Sequence, residues 1–167
     1  MNKKKFKPKY LIVDVDGVLT SGHMIYSESG KKYKLFGPDD SDALKIINKF
    51  LKVIFITADK RGYKISKKRI FDDMKMSLLL IGNIDRLKIL SRKFDLKECV
   101  FIGDGIFDHF TMKKSGYSIT IADSLDHVKK NANVVTKRRG GNRAVAEACL
   151  HLLKKFFNFN IENKFSL

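Results

Sequence analysis

The sequence predicts an α/β fold: a parallel β-sheet in the middle of three layers, with helices on both faces and one β-hairpin inserted. Three observations predict it. Short, continuous apolar runs recur along the chain, as in strands buried on both faces, and segments of helical periodicity alternate with them. Only one place, 24–36, sets two β-prone arms around a turn-forming quartet, Ser27-Glu28-Ser29-Gly30. The 167 residues hold 44% apolar side chains, 13 of them Phe, and only two Pro. That is enough apolar surface for one buried core and too much for a disordered chain.

The elements follow in order. Tyr10–Val13 is a short apolar strand running into Asp14. The arms of 24–36 form the hairpin, with the insertion as a whole taken as 23–36. Pro38-Asp39-Asp40-Ser41 reads as a capping start for a helix whose apolar face is Ala43, Leu44, Ile46, Ile47, Phe50 and Leu51. Lys52–Thr57 is a buried strand, 62–74 a basic helix, 77–81 a strand and 85–94 a helix. Cys99–Ile102 is a strand ending at Gly103-Asp104, followed by a helix over 107–114. A strand at 117–121, a helix at 124–130, the short strand Val134–Val135 and the amphipathic helix Ala144–Phe157 complete the pattern. The tail, 158–167, is polar and poorly patterned, so it is expected to be mobile unless it docks on something. The whole of 1–167 reads as one domain.

Charge and composition exclude several classes. The 34 Lys+Arg against 18 Asp+Glu give a formal charge of +16 and a pI near 9.8. This field attracts anions. The cations are scattered, at Lys3–Lys5, Lys31–Lys34, Lys67–Arg69, Lys137–Arg139 and elsewhere, and form neither an arm nor a stripe. A nucleic-acid partner is therefore not expected. No apolar run approaches the ~20 residues of a membrane span. The basic start followed by Leu11-Ile12-Val13 stops resembling a secretory leader at Asp14 and Asp16. Cys99 and Cys149 are too few and too isolated for a disulfide framework or a zinc site. A cytoplasmic location is the simplest reading.

Of the 18 acidic residues only four are Glu. Glu is the better helix former, so a Glu-poor acidic set is placed at caps, turns and ion sites. In parallel α/β folds ligands bind beyond the carboxyl ends of strands, where Asp14, Asp16, Thr57 and Asp104 are expected to converge. Asp14 and Asp16 are separated by one residue, so both carboxylates can face one side, and Gly17 permits the sharp turn after them. Two such carboxylates repel unless a divalent cation relieves them or one holds a proton. A metal-bound Asp can attack phosphorus, and a protonated one can donate to a leaving group. Gly103-Asp104-Gly105-Ile106-Phe107-Asp108 adds a second carboxylate cluster after a buried strand, with Asp108 able to return to the site from the next helix. Mg²⁺ favours such hard oxygen ligands.

Together these residues resemble the haloacid dehalogenase superfamily. Asp14-Val15-Asp16-Gly17-Val18-Leu19-Thr20 is similar to its first motif, Ile54-Phe55-Ile56-Thr57 to its second, and Gly103 to Asp108 to its fourth. Ser21-Gly22, the hairpin, 119–123 and the stretch from Thr136 through Gly140-Gly141 to Ala144 are closest to the small cap-less branch acting on octulosonate and nonulosonate phosphates. The resemblance covers about 10–153. It implies a Rossmann-like fold and a Mg²⁺-dependent phosphatase of a small sugar phosphate, serving cell-surface polysaccharide or lipopolysaccharide precursor synthesis. Asp14 would be the nucleophile that forms an aspartyl-phosphate. Asp16 would protonate the leaving oxygen and then activate water. Asp14, the Asp16 backbone carbonyl, Asp104 and Asp108 would hold Mg²⁺, and Thr57 with Ala58 would bind phosphoryl oxygens. The resemblance also implies a homotetramer, in which hairpins join copies and the tail of one subunit covers the crevice of the next.

Three positions depart from that pattern. The third motif normally supplies Lys, and Arg86 takes its place; Lys88 nearby points to another helix face. Where the octulosonate enzymes have Thr-Gly-Arg, this chain has Thr57-Ala58-Asp59, and where they have Arg-Asp-Gly it has Asp39-Asp40-Ser41. Two lost arginines predict a phosphorylated sugar other than the octulosonate, neutral or amino-bearing. His23, Asp59 and Arg139 are the expected substrate contacts. His109 follows Asp108 at a helix start and is expected near the site, while His127 and His151 read as surface or packing residues. The alternatives are a nucleic-acid end phosphatase, which the charge suits, and a catalytically silent binding protein, which Arg86 suggests.

Overall fold

The computed structural model describes residues 6–164, with side chains through Glu162. Lys3–Lys5 and the last three residues of the tail lie outside the described residues. Apolar runs form the strands β1 (Tyr10–Asp14), β4 (Lys52–Thr57), β5 (Ser77–Leu80), β6 (Cys99–Ile102), β7 (Tyr117–Thr120) and β8 (Val134–Val135). They make one six-stranded sheet in the order β5-β4-β1-β6-β7-β8, every pairing parallel. β2 (Thr20–Ser27) and β3 (Gly30–Phe36) pair antiparallel as a separate hairpin, which begins at Thr20 rather than residue 23. The helices are α1 (Asp40–Ile47), α2 (Tyr63–Lys67), α3 (Arg86–Lys93), α4 (Asp108–Lys114), α5 (Asp126–Lys129), α6 (Ala144–Phe157) and α7 (Ile161–Lys164). The basic helix expected over 62–74 is present in two parts, because its winding widens after α2, over Lys68–Asp73.

Strand alternation divides the core in two. Leu11, Val13, Val53, Phe55, Val100 and Ile102 pack against α1 and α6 through Leu44, Ile47, Cys149, Leu152 and Leu153. Ile12, Ile56 and Phe101 point the other way, onto Leu90 of α3, Met112 of α4 and Val128 of α5. These are the three layers. Phe55 and Phe101 are fully buried, one in each half, and each contributes about 1.5–3 kcal/mol by leaving water. Cys99 and Cys149 are buried free thiols.

The start of α1 departs from the expected cap. Asp39 has φ 64° and its side chain makes no capping bond; an N-cap needs extended backbone. It pairs with Arg143 instead. Asp40 is the working carboxylate, accepting from the Ala146 amide of α6 at 2.8 Å, while its Oδ2 is buried without a partner. Burial pushes its carboxyl up from 3.8 to about 6, against the pull of the Ala146 bond. Because the folded value lies above the unfolded one, this group's contribution is fully present below about pH 4 and is lost as pH rises through about 6. At about 1.4 kcal/mol per unit the loss is about 3 kcal/mol. Asp40→Asn keeps the bond to Ala146 and removes the charge. It is expected to gain about 1–2 kcal/mol at pH 7 and nothing at pH 4, measured by urea unfolding at both values.

For the tail, docking is the alternative observed. Its described start docks on its own chain, with Phe159 5.5 Å from the Phe50 ring. Phe157 lies 5.0 Å from the same ring.

Candidate active site

β1 lies between β4 and β6. Connections leave it in opposite directions, so the carboxyl ends of these three strands open into a crevice. Its volume is about 500 Å³, and Asp14, Asp16, Ala58, Asp59, Asn83, Arg86 and Gly105 are among the residues lining it. The turn after β1 makes the approach possible. Asp16 (φ −86°, ψ 111°) and Gly17 (φ 96°) break the winding of Val15–Leu19. A Cβ on Gly17 would overlap the Asp104 carboxylate, so glycine lets the two strand ends meet. Gly140 presses on the Gly17 carbonyl so closely that a Cβ there would overlap it. The Gly141 amide donates to Val18 at 3.0 Å. The glycine pair thus braces the first turn.

Asp14 is buried at the end of β1, with Oδ1 accepting from its neighbour Val15 at 2.8 Å. Arg86 opens α3 and is also buried. Its Nη1 donates to Asp14 Oδ2 at 2.8 Å and also to Asp108 Oδ1. Its Nη2 donates to Asn83 at 2.9 Å. The second oxygen of Asp108 accepts from the Gly105 amide at 2.9 Å, which folds the loop between β6 and α4 back on itself. Burial drives the Asp14 carboxyl well above the usual range; Arg86 opposes this and Asp108 adds to it. Asp104 is pushed up to about 8 by burial and by the charges of Asp14, Asp108 and Asp123.

One guanidinium therefore faces three carboxylates. Oxygens of Asp14, Asp104 and Asp108 lie within 4.8 Å of one another, and Asp104 Oδ1 is buried with no hydrogen-bond partner. This hard, anionic, under-compensated oxygen set fits a divalent cation such as Mg²⁺.

Asp16 sits apart from that cluster. Its Oδ2 accepts from the Thr57 hydroxyl at 2.6 Å, and its Oδ1 from Lys34 at 2.6 Å. Asp59 lines the crevice but is spoken for: Lys31, Lys34 at 2.9 Å and the Gly62 amide at 3.0 Å all donate to it. Burial alone would raise its carboxyl, yet these donors hold it at about 2. Asp59 is therefore a neutralised carboxylate and brings no free negative charge to the crevice. Asp39, paired with Arg143, is not among the lining residues. Neither Asp59 nor Asp39 therefore offers an unpaired carboxylate to the crevice, although neither supplies the cation of the arginine it replaces, and Lys60 and Arg61 line the same crevice.

Two expected contacts are not brought to the crevice. His23 is exposed on the hairpin, where its Nδ1 lies 3.2 Å from the Ser21 hydroxyl. Arg139 is exposed on the loop before Gly140, whose neighbours Lys137 and Arg138 bind Glu147 through their amides. His109 and His127 both donate to the Ile106 carbonyl, at 2.8 and 3.0 Å, on the loop beside the site. His151 meets the Tyr117 hydroxyl at 2.9 Å, away from it. Sequence reasoning missed Lys34, Lys31 and Asn83. The two lysines sit in what reads as a solvated charge run, and nothing in that run marks them for burial.

A family model described as haloacid dehalogenase-like hydrolase matches residues 86–148, from Arg86 through the Asp104–Asp108 cluster. The 3-deoxy-D-manno-octulosonate 8-phosphate phosphatase of Yersinia pestis is 29% identical over 147 residues, covering 84% of this chain and 77% of that protein. The enzyme of the same name from Haemophilus influenzae is 28% identical over 156 residues, covering 88% and 83%. The crystal structure of the Moraxella catarrhalis phosphatase of that name, in complex with magnesium, phosphate and a KDO molecule, superposes with a TM-score of 0.79 at 26% identity. That superposition covers 91% of this chain and 89% of the other.

Proposed function

We propose, from the premise that this chain is a haloacid dehalogenase-like hydrolase, that it is a cytoplasmic phosphatase releasing phosphate from a small phosphorylated sugar by way of a phosphoryl-aspartate. The observation that carries the proposal is the pairing of Asp14, buried against Arg86, with a second carboxylate, Asp16, anchored separately in the same crevice. Asp14 attacks phosphorus, the phosphorus–oxygen bond to the sugar breaks, and Asp16 gives the leaving oxygen a proton. Asp16 then takes a proton from water as that water attacks the phosphoryl group on Asp14, releasing phosphate and restoring the carboxylate. Thr57, the Ala58 backbone amide and Arg86 hold the phosphoryl oxygens. Arg86 already faces Asp14, so it can meet the charge that gathers there as the phosphoryl group transfers. Mg²⁺, held by Asp14, the Asp16 carbonyl, Asp104 and Asp108, would neutralise phosphoryl charge when bound.

The relatives' substrate, 3-deoxy-manno-octulosonate 8-phosphate, is the first ester to try, in a panel with neutral and amino sugar phosphates. Phosphate release from a sugar phosphate with Mg²⁺, abolished by EDTA, is expected. Release only from nucleic-acid ends, falling steeply with salt, would replace the sugar with a polynucleotide. No release from any ester would leave a binding protein.

The same proposal includes a homotetramer built on the hairpin. Met24, Ile25, Tyr26, Tyr33 and Leu35 leave a large apolar surface exposed on a two-stranded ribbon that has little core of its own. Light scattering is expected to give four times the 19.2 kDa chain mass. Replacing Tyr26 and Tyr33 with Lys is expected to shift the mass to smaller species. A monomeric mass for the unaltered protein would contradict the assembly.

A further inference from the structure

The buried charge cluster beneath the hairpin carries an inference that rests on the phosphatase assignment and goes beyond it. Lys34 belongs to β3, in the hairpin, and not to the sheet that carries Asp14 and Asp104. Its side chain is 1% exposed. The ammonium has three protons and three acceptors: Asp16 Oδ1 at 2.6 Å, Ser66 Oγ at 2.8 Å and Asp59 Oδ2 at 2.9 Å. Burying an ammonium costs several kcal/mol before its partners repay it. Lys31 already ties the hairpin to Asp59, so anchoring alone does not require Lys34 to reach Asp16.

Thr57 supplies the reason. Its single hydroxyl proton now goes to Asp16 Oδ2, at 2.6 Å. It cannot serve that oxygen and a phosphoryl oxygen together. When a phosphoryl group takes the Thr57 proton, Asp16 Oδ2 is freed toward the leaving group and Oδ1 stays on Lys34. Oδ1 accepts from Lys34 whether or not Oδ2 carries a proton, so one anchor serves both proton transfers.

We propose that Lys34 is the positioning residue for Asp16, so that the hairpin must be seated on the crevice before the leaving oxygen can be protonated.

The test compares kcat/KM on two esters. A sugar phosphate leaves as an alkoxide and needs the Asp16 proton, whereas p-nitrophenyl phosphate leaves as a stabilised phenolate and does not. Lys34→Met keeps the stem and removes the ammonium. Its kcat/KM for the sugar ester is expected to fall about 10- to 100-fold, within reach of what general acid catalysis supplies, and that for the aryl ester by less than about threefold. Lys31→Met cuts the other tie to Asp59 without touching Asp16, and is expected to change both esters by one common factor. Lys34→Arg keeps the buried charge and displaces the anchor; it holds the test open if Lys34→Met does not fold, and it too is expected to penalise the sugar ester more. Equal losses on both esters in the Lys34 variants, or no loss on either, overturn the positioning role while leaving the phosphatase assignment intact. A wild-type protein that hydrolyses neither ester overturns both.

Discussion

Asp14→Asn is expected to stop phosphate release while leaving the domain folded and, without divalent cation, more stable. Asn is close to Asp in shape, but its single carbonyl oxygen can take the place of only one of the two carboxylate oxygens that accept from the Val15 amide and Arg86, which offsets part of that gain. The substitution removes the attacking oxygen, and loss of a nucleophile costs on the order of four to six powers of ten in kcat. Stability moves the other way. Burial and Asp108 raise the Asp14 carboxyl above its unfolded value, so its ionisation at neutral pH works against the fold. An amide carries no such cost. Adding Mg²⁺ is expected to reverse the order, because a cation that binds the folded state stabilises the chain with all three carboxylates more than one with two. Thermal unfolding with and without Mg²⁺, beside a phosphate-release assay, checks both halves. Residual turnover above about a hundredth of wild type would remove Asp14 from the nucleophile's place.

Arg86→Ala is the second large effect. It leaves Asp14, Asp104 and Asp108 buried together with no cation among them, and breaking a buried ion pair by removing one partner costs about 3–5 kcal/mol. At this chain length that lowers Tm by about 10 °C. Mg²⁺ is expected to recover part of the loss in stability, because it supplies the missing charge. Activity stays low, because the phosphoryl group has lost the cation beside Asp14. Arg86→Lys separates charge from geometry. An ammonium can satisfy Asp14 and Asp108 as a point charge but cannot also reach Asn83 in the fork that Arg86 makes. It is expected to keep activity within about tenfold and to lose about 1–2 kcal/mol. Calorimetry and kcat/KM on all three proteins separate the two roles. An Arg86→Ala protein as stable as wild type at neutral pH without Mg²⁺ would show that the carboxylates do not burden the fold.

The parts of the site legible in the sequence share one physical cause. Asp14, Thr57 and Asp104 each follow an apolar run that must be a buried strand, and parallel strands deliver their last residues to one edge. Gly17 was legible for the same reason, since a chain leaving a buried strand beside two carboxylates needs a conformation that glycine permits. What escaped depended on contacts between segments far apart in the chain. Lys34 and Lys32 look alike in sequence; the hairpin's fold over Asp59 and Ser66 buries the first and leaves the second in water. Asp59 read as a substrate contact because Lys31, 28 positions away, could not be paired with it in advance. Asp39 and Asp40 are neighbours of one type, and a positive φ decides that the second, not the first, serves the helices. His23 and Arg139 lie near site motifs along the chain, but both are exposed and neither is among the residues lining the crevice.

The most direct test of Asp14 as the acceptor of the phosphoryl group uses Asp16→Asn with p-nitrophenyl phosphate and Mg²⁺. The aryl oxide leaves without a proton, so the first step proceeds, and water then lacks its base. The account predicts a burst of one p-nitrophenol per chain, and, after acid quench, the mass of one phosphoryl group on the peptide carrying Asp14. A burst with that peptide unmodified, or with the phosphoryl group on another residue, would contradict it.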